Sequence, residues 1–258
     1  MKLAHDIPLR DIKEAVHQSK KYIGLTGGEP TCSKELFTII RYIRSVKPNL
    51  YIFIVSNGRK FADKSYAKKF AKLATPPFRI GIPLFSHVPE IHDHITQAEG
   101  SWHETVKGIK NLITEGVRVE LRIIVERPNY RLLPDTARFV VENFKGLDRV
   151  VFINMKYTGN AFINRKKIFV RYKHLVPYVQ QATDVLLEHG FEVKMFHFPL
   201  CTIDKKYWKY AQGITKQEVE LTFLKRCSEC VVREKCPRIW KTYLPLAGDD
   251  EFQPITRV

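Results

Sequence analysis

No cysteine precedes Cys32 in this chain of 258 residues, and no apolar run approaches the roughly 18 residues that a membrane-spanning helix needs. The opening Met1-Lys2-Leu3-Ala4-His5-Asp6 lacks the apolar core of a secretory signal. These absences argue against membrane-spanning and secreted classes, and a cytoplasmic protein with no membrane partner is expected. Acidic residues are scarce: 27 Asp and Glu face 43 Lys and Arg, a formal charge of +16. Such a balance implies a solvated basic surface, or an acidic partner: nucleic acid, acidic peptide or phosphate-bearing small molecule. The basic residues are scattered (Lys20-Lys21, Lys68-Lys69, Lys205-Lys206), and only Arg165-Lys166-Lys167 forms a tight cluster. That cluster reads as a solvated turn, with binding of an acidic leader peptide as its second role. No nucleic-acid module is recognisable, so nucleic acid is not the expected partner. Internal repeats and low-complexity segments are also absent. The length suits one large α/β domain, or a domain with a small appendage, and 44% hydrophobic residues can fill its core.

What is present is concentrated in two places. The first is Gly27-Gly28-Glu29-Pro30, where the apolar run from Tyr22 stops and a helical pattern begins. Glycines permit unusual dihedrals and close approach of the backbone to a ligand, and proline fixes the exit. In α/β proteins, ligands sit at this end of the strands. The turn lacks the Lys-Ser/Thr of a phosphate loop and the spacing of a dinucleotide fingerprint. The second is the cysteine set. Cys201 is followed by Cys227-x2-Cys230-x5-Cys236, so four of the five cysteines lie beyond residue 200. In a reducing compartment this clustering points to a metal centre rather than disulfides. Four thiolates can hold Zn²⁺ or an iron–sulfur cluster, and Lys225, Arg226, Arg233 and Lys235 would offset their charge. Cys32 reads as a small buried residue at a helix start, with no base nearby to activate it.

Hydrophobic periodicity orders the rest. Strands are expected at Tyr22–Thr26, Leu50–Val55, Phe78–Phe85, Val117–Val125, Val150–Met155 and Phe191–Phe198. Helices are expected from Asp6 or Pro8, from Lys34, over Asp63–Leu73, from a capping box at Ser101-Trp102-His103-Glu104 to Gly116, from Pro134, and over Leu175–His189. The strict alternation argues a parallel sheet with helices outside, open or rolled into a barrel. Arg118, Glu120 and Arg122 share one strand face, opposite Val119, Leu121, Ile123 and Val125. With the apolar face on helices, the charged face points inward, as in a barrel that holds a charged ligand. Tyr22, Gly24, Thr26, Asn154 and Lys156 repeat this on other strands. An edge strand facing water is the alternative. His87, His92, His94 and His103 gather near one strand end. They read as a solvated or substrate-facing loop ahead of a metal site. Tyr207, Trp208 and Tyr210 are expected to pack a small domain, and the tail after Ala247 to fray.

The turn Gly27-Gly28-Glu29-Pro30-Thr31, then Ser56-Asn57-Gly58 after the next strand, then the cysteine-rich end together resemble the radical S-adenosylmethionine (radical SAM) enzymes with an auxiliary cluster. Within that superfamily several stretches are similar to the maturase of the His-Xaa-Ser peptide system. These are Gly81–Ser86, His92-Asp93, Val119–Val125, Leu133-Pro134 with Ala137–Phe139, Tyr157-Thr158-Gly159, and Leu200-Cys201 with the three later cysteines. The resemblance implies a partial (β/α)6 TIM-like barrel over residues 1–200, without its first strand. An auxiliary cluster region over 201–243 and a tail over 244–258 would follow. It implies SAM as cofactor, with Gly27, Gly28, Glu29 and Pro30 at its methionyl end and Ser56 and Asn57 near its ribose or carboxylate. Arg122 would pair with the carboxylate, and adenine would lie near Asn154 and Tyr157–Gly159. Cys201, Cys227, Cys230 and Cys236 would hold an auxiliary [4Fe–4S] cluster, and no catalytic side chain is singled out. The cofactor carries the hard chemistry, abstracting hydrogen after SAM cleavage, and the protein positions and shields it.

The implied partners are a precursor peptide and a reductant protein. Radical SAM enzymes carry C-x3-C-x2-C before GGEP to hold the SAM-binding [4Fe–4S] cluster. Here no such motif occurs. A truncated or misassigned start is expected, ahead of a degenerate enzyme or a segment supplied by another chain, and the chain as given is expected to be inactive in SAM cleavage. The alternatives are a non-catalytic Fe–S scaffold that binds a peptide and a basic zinc-bearing nucleic-acid module.

Overall fold

The structure is a computed structural model that describes residues 9–211, 213–214 and 218–257. Six strands run in sequence order across one sheet: β1 (Tyr22–Leu25), β2 (Tyr51–Val55), β3 (Phe78–Pro83), β4 (Val119–Val125), β5 (Arg149–Asn154) and β6 (Val193–Phe196). Ten α-helices lie among the described residues. They are α1 (Leu9–Gln18), α2 (Leu36–Val46), α3 (Lys64–Ala71), α4 (Pro89–Thr96), α5 (Ser101–Thr114), α6 (Leu133–Asn143), α7 (Asn160–Ile163), α8 (Arg165–Ile168), α9 (Tyr172–Glu188) and α10 (Leu244–Ala247). Parallel strands alternating with helices are the α/β fold that the periodicity implied, in the order of a partial TIM-like barrel. A separate antiparallel ribbon pairs β7 (Leu221–Thr222) with β8 (Ile239–Trp240). The expected helix start at Asp6 or Pro8 lies outside the described residues. In α1, Val16 is buried, Ile12 half-buried and Ala15 exposed.

The chain divides into two compact units. The first comprises Met1–Leu84, Thr96–Leu121 and Asn143–Asp148. Its strands β1, β2 and β3 pair in parallel, with Leu25 opposite Ile54 and Ile54 opposite Ile80. Ile52, Ile54 and Ile80 are fully buried, and each such side chain contributes about 1.5–3 kcal/mol. Helix α2 presents Leu36, Ile39, Ile40 and Ile43 to this core at helical spacing. β1 is the outer strand, and Tyr22 and Gly24 face water, as the edge-strand alternative had it. Gly116, at φ 75°, ends α5 as expected. The capping box does not form. Ser101 is the first helical residue; Gly100, in a left-handed conformation, takes the cap position. Ser101 Oγ instead meets Thr96 Oγ1 at 2.7 Å, and Glu104 pairs with Arg59.

Two of the three charges expected on the inward face, Arg118 and Glu120, meet partners at the amino-terminal end of the strands, and Arg118, just before β4, is exposed rather than inward. Asp148 accepts from Arg79 Nε and, at 2.7 Å, from Arg118 Nε. Arg79 also reaches Tyr51 Oη at 3.3 Å and feels the charge of the buried Glu120. Burial pushes the Asp148 carboxyl up, but its hydrogen bonds to Arg118 and Arg79 outweigh this and hold it below the ordinary 3.8. A carboxyl depressed in the folded state contributes stability above its unfolded pKa and loses it as pH falls through the folded one. The contribution is therefore complete at neutral pH and fades below 3.8. Asp148→Asn leaves the buried Arg79 guanidinium poorly compensated; urea unfolding at pH 7 should show a loss of roughly 3 kcal/mol, shrinking in acid. Equal loss at pH 7 and pH 3 would contradict this account.

The second unit comprises Phe85–Ile95, Arg122–Glu142 and Arg149–Val258. β5 pairs with β6 in parallel, Phe152 opposite Met195, and α9 buries Leu175, Val179, Ala182 and Leu186 at helical spacing. The stretch read as a histidine-rich loop contains helix α4. His92 is buried there, and its Nδ1 accepts from Phe85 N–H at 3.2 Å. The His87 ring lies 3.1 Å from Thr136 Oγ1. The tail is not frayed. Arg171 pairs with Asp250 and Glu251, Arg226 with Asp249, and Val231 N–H donates to Ile255 O at 2.9 Å. Phe252 is buried against Tyr172 and Tyr243, its ring centroid 5.7 and 5.6 Å from theirs. The Gly248-Asp249-Asp250-Glu251 run reads as frayed in sequence because its charges find their partners far away along the chain. Phe252→Ala should cost about 3–5 kcal/mol in a denaturation experiment; a change under about 0.5 kcal/mol would return the tail to the solvent.

Candidate functional site

In the first unit, the turns after β1 and β2 are joined by one carboxylate. Glu29 Oε1 accepts from Thr31 N–H at 3.0 Å, Thr31 Oγ1 at 2.7 Å and Ser56 Oγ at 2.7 Å. Its Oε2 accepts from the Asn57 N–H at 2.7 Å. Glu29 also caps the short 3-10 turn Pro30–Cys32. Ser56 Oγ in turn accepts from Gly58 N–H at 3.1 Å, and Asn57 Oδ1 from Arg59 N–H at 3.0 Å. Helix α5 fixes this second turn from behind: Thr105 Oγ1 donates to Asn57 O at 3.1 Å. A Cβ on Gly108 would lie 2.2 Å from Gly58 O, so the helix and the turn can meet only through glycine. Lys60 Nζ holds Thr31 O at 2.9 Å. Thus six of the expected site residues, Gly27, Gly28, Glu29, Pro30, Ser56 and Asn57, stand on two joined turns at the carboxyl ends of neighbouring strands.

Gly27 and Gly28, at φ 103° and 53°, are exposed at the head of that brace. Nothing lies within 4 Å of a Cβ built on Gly27. Conformation, not crowding, demands glycine there, and the backbone is left open to a ligand. Cys32 is exposed rather than buried as expected.

In the second unit, buried polar groups gather at the ends of β4, β5 and β6. Arg122 is half-buried on β4. Glu126 follows β4, nearly inaccessible, and burial pushes its carboxyl up to about 7. Asn129 frames it, accepting from Glu126 N–H at 2.8 Å and donating to Ile124 O and Phe85 O. Asn154 ends β5 fully buried. Trp240 Nε1 donates to its carbonyl at 3.2 Å, and Tyr172 Oη lies 3.0 Å from its Oδ1 and 2.8 Å from His197 O. A hydroxyl has one proton, so one polar atom of the Asn154 amide stays open in either orientation of the amide. His197 stacks on Trp240 with centroids 4.0 Å apart, and its φ of 64° is rare outside glycine. Burial, with the Arg122 charge, lowers its pKa to about 4 against the pull of Glu220, so the ring is neutral at pH 7. Glu220 pairs with Lys156. Sequence reading missed Glu126, His197, Trp240 and Glu220. Glu126 had a usable signal, an acid directly after the apolar run Ile123-Ile124-Val125 in an α/β chain. The others come together only through the fold.

The cysteines of the second unit do converge. Cys201, Cys227, Cys230 and Cys236 line one small cavity with Leu200, Val232, Ile239 and Pro254. Burial pushes the Cys201 thiol up to about 12, with further upward pressure from Cys236 and Cys227. Cys236 is raised by burial too. Such thiols ionise only beside a strong positive charge, which metal supplies. Trp208 Nε1 donates to Leu200 O at 3.0 Å and steadies the Cys201 turn. Among the described residues, no three His, Cys, Asp or Glu side chains close around a single ion. That holds equally for the histidines near α4.

Parallel strands with joined, glycine-bearing turns at their carboxyl ends define an α/β fold with exposed backbone at its turn end. The model of the Radical SAM superfamily matches residues 3–140, more than half of the chain, and the chain belongs to that superfamily. Its members are enzymes that use SAM and a [4Fe–4S] cluster. Among curated proteins, Fe-coproporphyrin III synthase of Methanosarcina barkeri is 26% identical over 172 residues, 66% of this chain and 41% of the relative. The GTP 3′,8-cyclase of Nautilia profundicola is 27% identical over 114 residues, 44% of this chain and 34% of the relative. Among solved structures, Streptococcus suis SuiB bound to S-adenosylmethionine shares the fold with a TM-score of 0.56 at 16% identity, over 81% of this chain and 45% of that one. Coproporphyrinogen III oxidase from Escherichia coli, a radical SAM enzyme, gives 0.53 at 14% identity, over 71% and 46%. The chain spans less than half the length of each of these four proteins.

The brace is directly testable. Glu29→Gln replaces one acceptor oxygen by a donor that faces another donor, and urea unfolding should show a loss of about 1–3 kcal/mol. Cys32→Ser, at an exposed position, should stay within about 0.5 kcal/mol. Equal effects of the two would remove the special role given to Glu29.

Proposed function

We propose that the chain is the SAM-holding and auxiliary-cluster portion of a radical SAM enzyme that modifies a ribosomally made peptide. The observation that carries this reading is the pairing of the GGEP turn with four thiols gathered on one cavity. Gly27, Gly28 and Pro30 present backbone to the methionyl end of SAM, and Glu29 holds that backbone in place. Ser56 and Asn57 stand near the ribose or carboxylate, and Arg122 supplies a cation for the carboxylate. The open amide atom of Asn154 offers a hydrogen bond to adenine. When bound with a reduced [4Fe–4S] cluster, SAM supplies hydrogen-abstracting radical chemistry.

Cys201, Cys227, Cys230 and Cys236 hold an auxiliary [4Fe–4S] cluster in the 201–243 region. A cluster takes one thiolate per iron around its outside. Four thiols spread about a cavity suit it better than one zinc ion, which needs all four sulfurs about 2.3 Å away. The peptide assignment is supported by the likeness of Gly81–Ser86, Val119–Val125 and Tyr157–Gly159 to the His-Xaa-Ser maturase. The curated relatives carry other substrates in their names, a coproporphyrin and GTP. A reductant protein completes the set of partners, and the composition fits a cytoplasmic setting.

A second reading has its own observation. These 258 residues contain no C-x3-C-x2-C. On that ground the chain alone is a peptide-binding Fe–S scaffold. Anaerobic reconstitution should give about four irons and four sulfides per chain, falling sharply in Cys227→Ala and Cys236→Ala. One zinc and no sulfide would sink the cluster. With dithionite and SAM, the reconstituted 258-residue chain should release no 5′-deoxyadenosine; its release would show that this chain carries the cleaving centre itself.

A further inference from the structure

Between Asp148 and Asp184 the chain carries many Lys and Arg but no acidic residue. Some of these cations find acids elsewhere in the second unit. Arg149 lies 3.8 Å from Glu192, Lys156 pairs with Glu220, and Arg171 pairs with Asp250 and Glu251. Arg165, Lys166 and Lys167 form no ion pair among the described residues. The cluster that reads as a solvated turn in the sequence is helix α8. Just before it, α7 exposes two adjacent apolar side chains, Phe162 at 48% and Ile163 at 71%. Their exposure is not a failure of local packing. Phe169, directly after α8, anchors the segment, its ring centroid 5.2 Å from that of Tyr157 and 5.5 Å from that of Tyr243. The Arg127 N–H donates to Ile168 O at 2.9 Å and Arg127 Nη1 to Lys166 O at 3.3 Å, so the turn that leaves β4 holds α8 in place. Arg165 Nη1 donates to Phe162 O at 2.8 Å, its guanidinium 4.2 Å from the Phe162 ring centroid. The result is an ordered face past the carboxyl ends of β4 and β5, with Phe162 and Ile163 in it and Arg127, Lys166 and Lys167 exposed beside them.

Adjacent large apolar side chains rimmed by charge mark an interaction surface. Cations without acids of their own complement a negative partner and repel a second copy of the same basic face. Nucleic acid would engage the cations but leave Ile163 against water, and Arg165 already occupies one face of the ring on which a base would stack. An acidic electron-donor protein would have to approach the thiols, and no residue of this face lines their cavity. Two helices of four residues each offer far less apolar surface than an amphipathic helix that lies on a membrane. A polypeptide with carboxylates beside apolar side chains uses both halves of the face.

We propose that the α7–α8 face binds an acidic, apolar-bearing segment of the peptide on which the enzyme acts. The assignment rests on the peptide-modifying reading and gives that peptide a chemical character and a docking place, at the end of the strands where ligands sit.

The test is fluorescence anisotropy of a fluorescein-labelled peptide of alternating Glu and Leu with the iron-loaded chain at low salt. Lys166→Gln together with Lys167→Gln should weaken binding by about tenfold, the scale of two exposed ion pairs. Ile163→Ser should weaken it as well. The charge-matched pair Lys68→Gln with Lys69→Gln, on α3, should leave it unchanged. All these side chains are exposed, so the variants keep the fold. The proposal is overturned if the α3 pair weakens binding as much as the α8 pair, or if either the α8 pair or Ile163→Ser has no effect. It is overturned too if a single-stranded DNA oligonucleotide or phosphatidylglycerol vesicles bind more tightly and lose affinity in the same variants. Iron and sulfide counted on the same samples separate the face from the reading beneath it. Peptide binding without iron leaves the face standing and removes the cluster; full iron with equal binding of a Gln–Leu peptide removes the face and leaves the cluster.

Discussion

The carboxylate of Glu29 is the constraint on which the first unit's ligand end depends. A carboxylate accepts and cannot donate, and here its two oxygens receive four donors from two separate turns. The strands that end in those turns are neighbours, with Leu25 beside Ile54, so a single side chain spans the gap between them. Two adjacent glycines in a strand-end turn would otherwise sample many conformations. Glu29 removes that freedom from below and leaves the upper side of the turn open. The acid in the motif therefore acts on the protein's own backbone, and the two glycines beside it stay exposed.

The same unit separates its charges by task. Arg79, Asp148 and Arg118 close a network at the amino-terminal ends of the strands, opposite the turns that carry Glu29. In barrels of parallel strands, the amino-terminal end carries stability and the carboxyl end carries function. Arg118 and Glu120 both belong to the stabilising end. Alternation along a strand shows which side chains share a face, but not at which depth each finds its partner.

That distinction explains what was legible in the sequence. Every strand of the sheet was found, because buried parallel strands are written as unbroken apolar runs such as Tyr51–Val55. The GGEP turn and the cysteine set were legible because each is local. Helix α4 is hidden by the histidines of its segment: His92, within the helix, accepts from a backbone N–H, and His87, just before it, meets the Thr136 hydroxyl. The capping box at Ser101 lost to a glycine one residue earlier, since a left-handed turn there already sets the entry of the chain into α5. The ordered tail and the group around Asn154, Tyr172, His197 and Trp240 depend on contacts across dozens of residues. No window of sequence displays such contacts.

His197 carries one more consequence. Its backbone sits in the left-handed region, which costs an ordinary residue about 1–2 kcal/mol and glycine almost nothing. Glycine at this position would relax the chain, yet it would delete the ring that covers Trp240 and the neutral nitrogen held near Arg122 and Glu220. Engineering this chain for heat resistance would thus meet a trade-off here: the substitution that most eases the backbone is the one that empties the end of β6 of its chemistry.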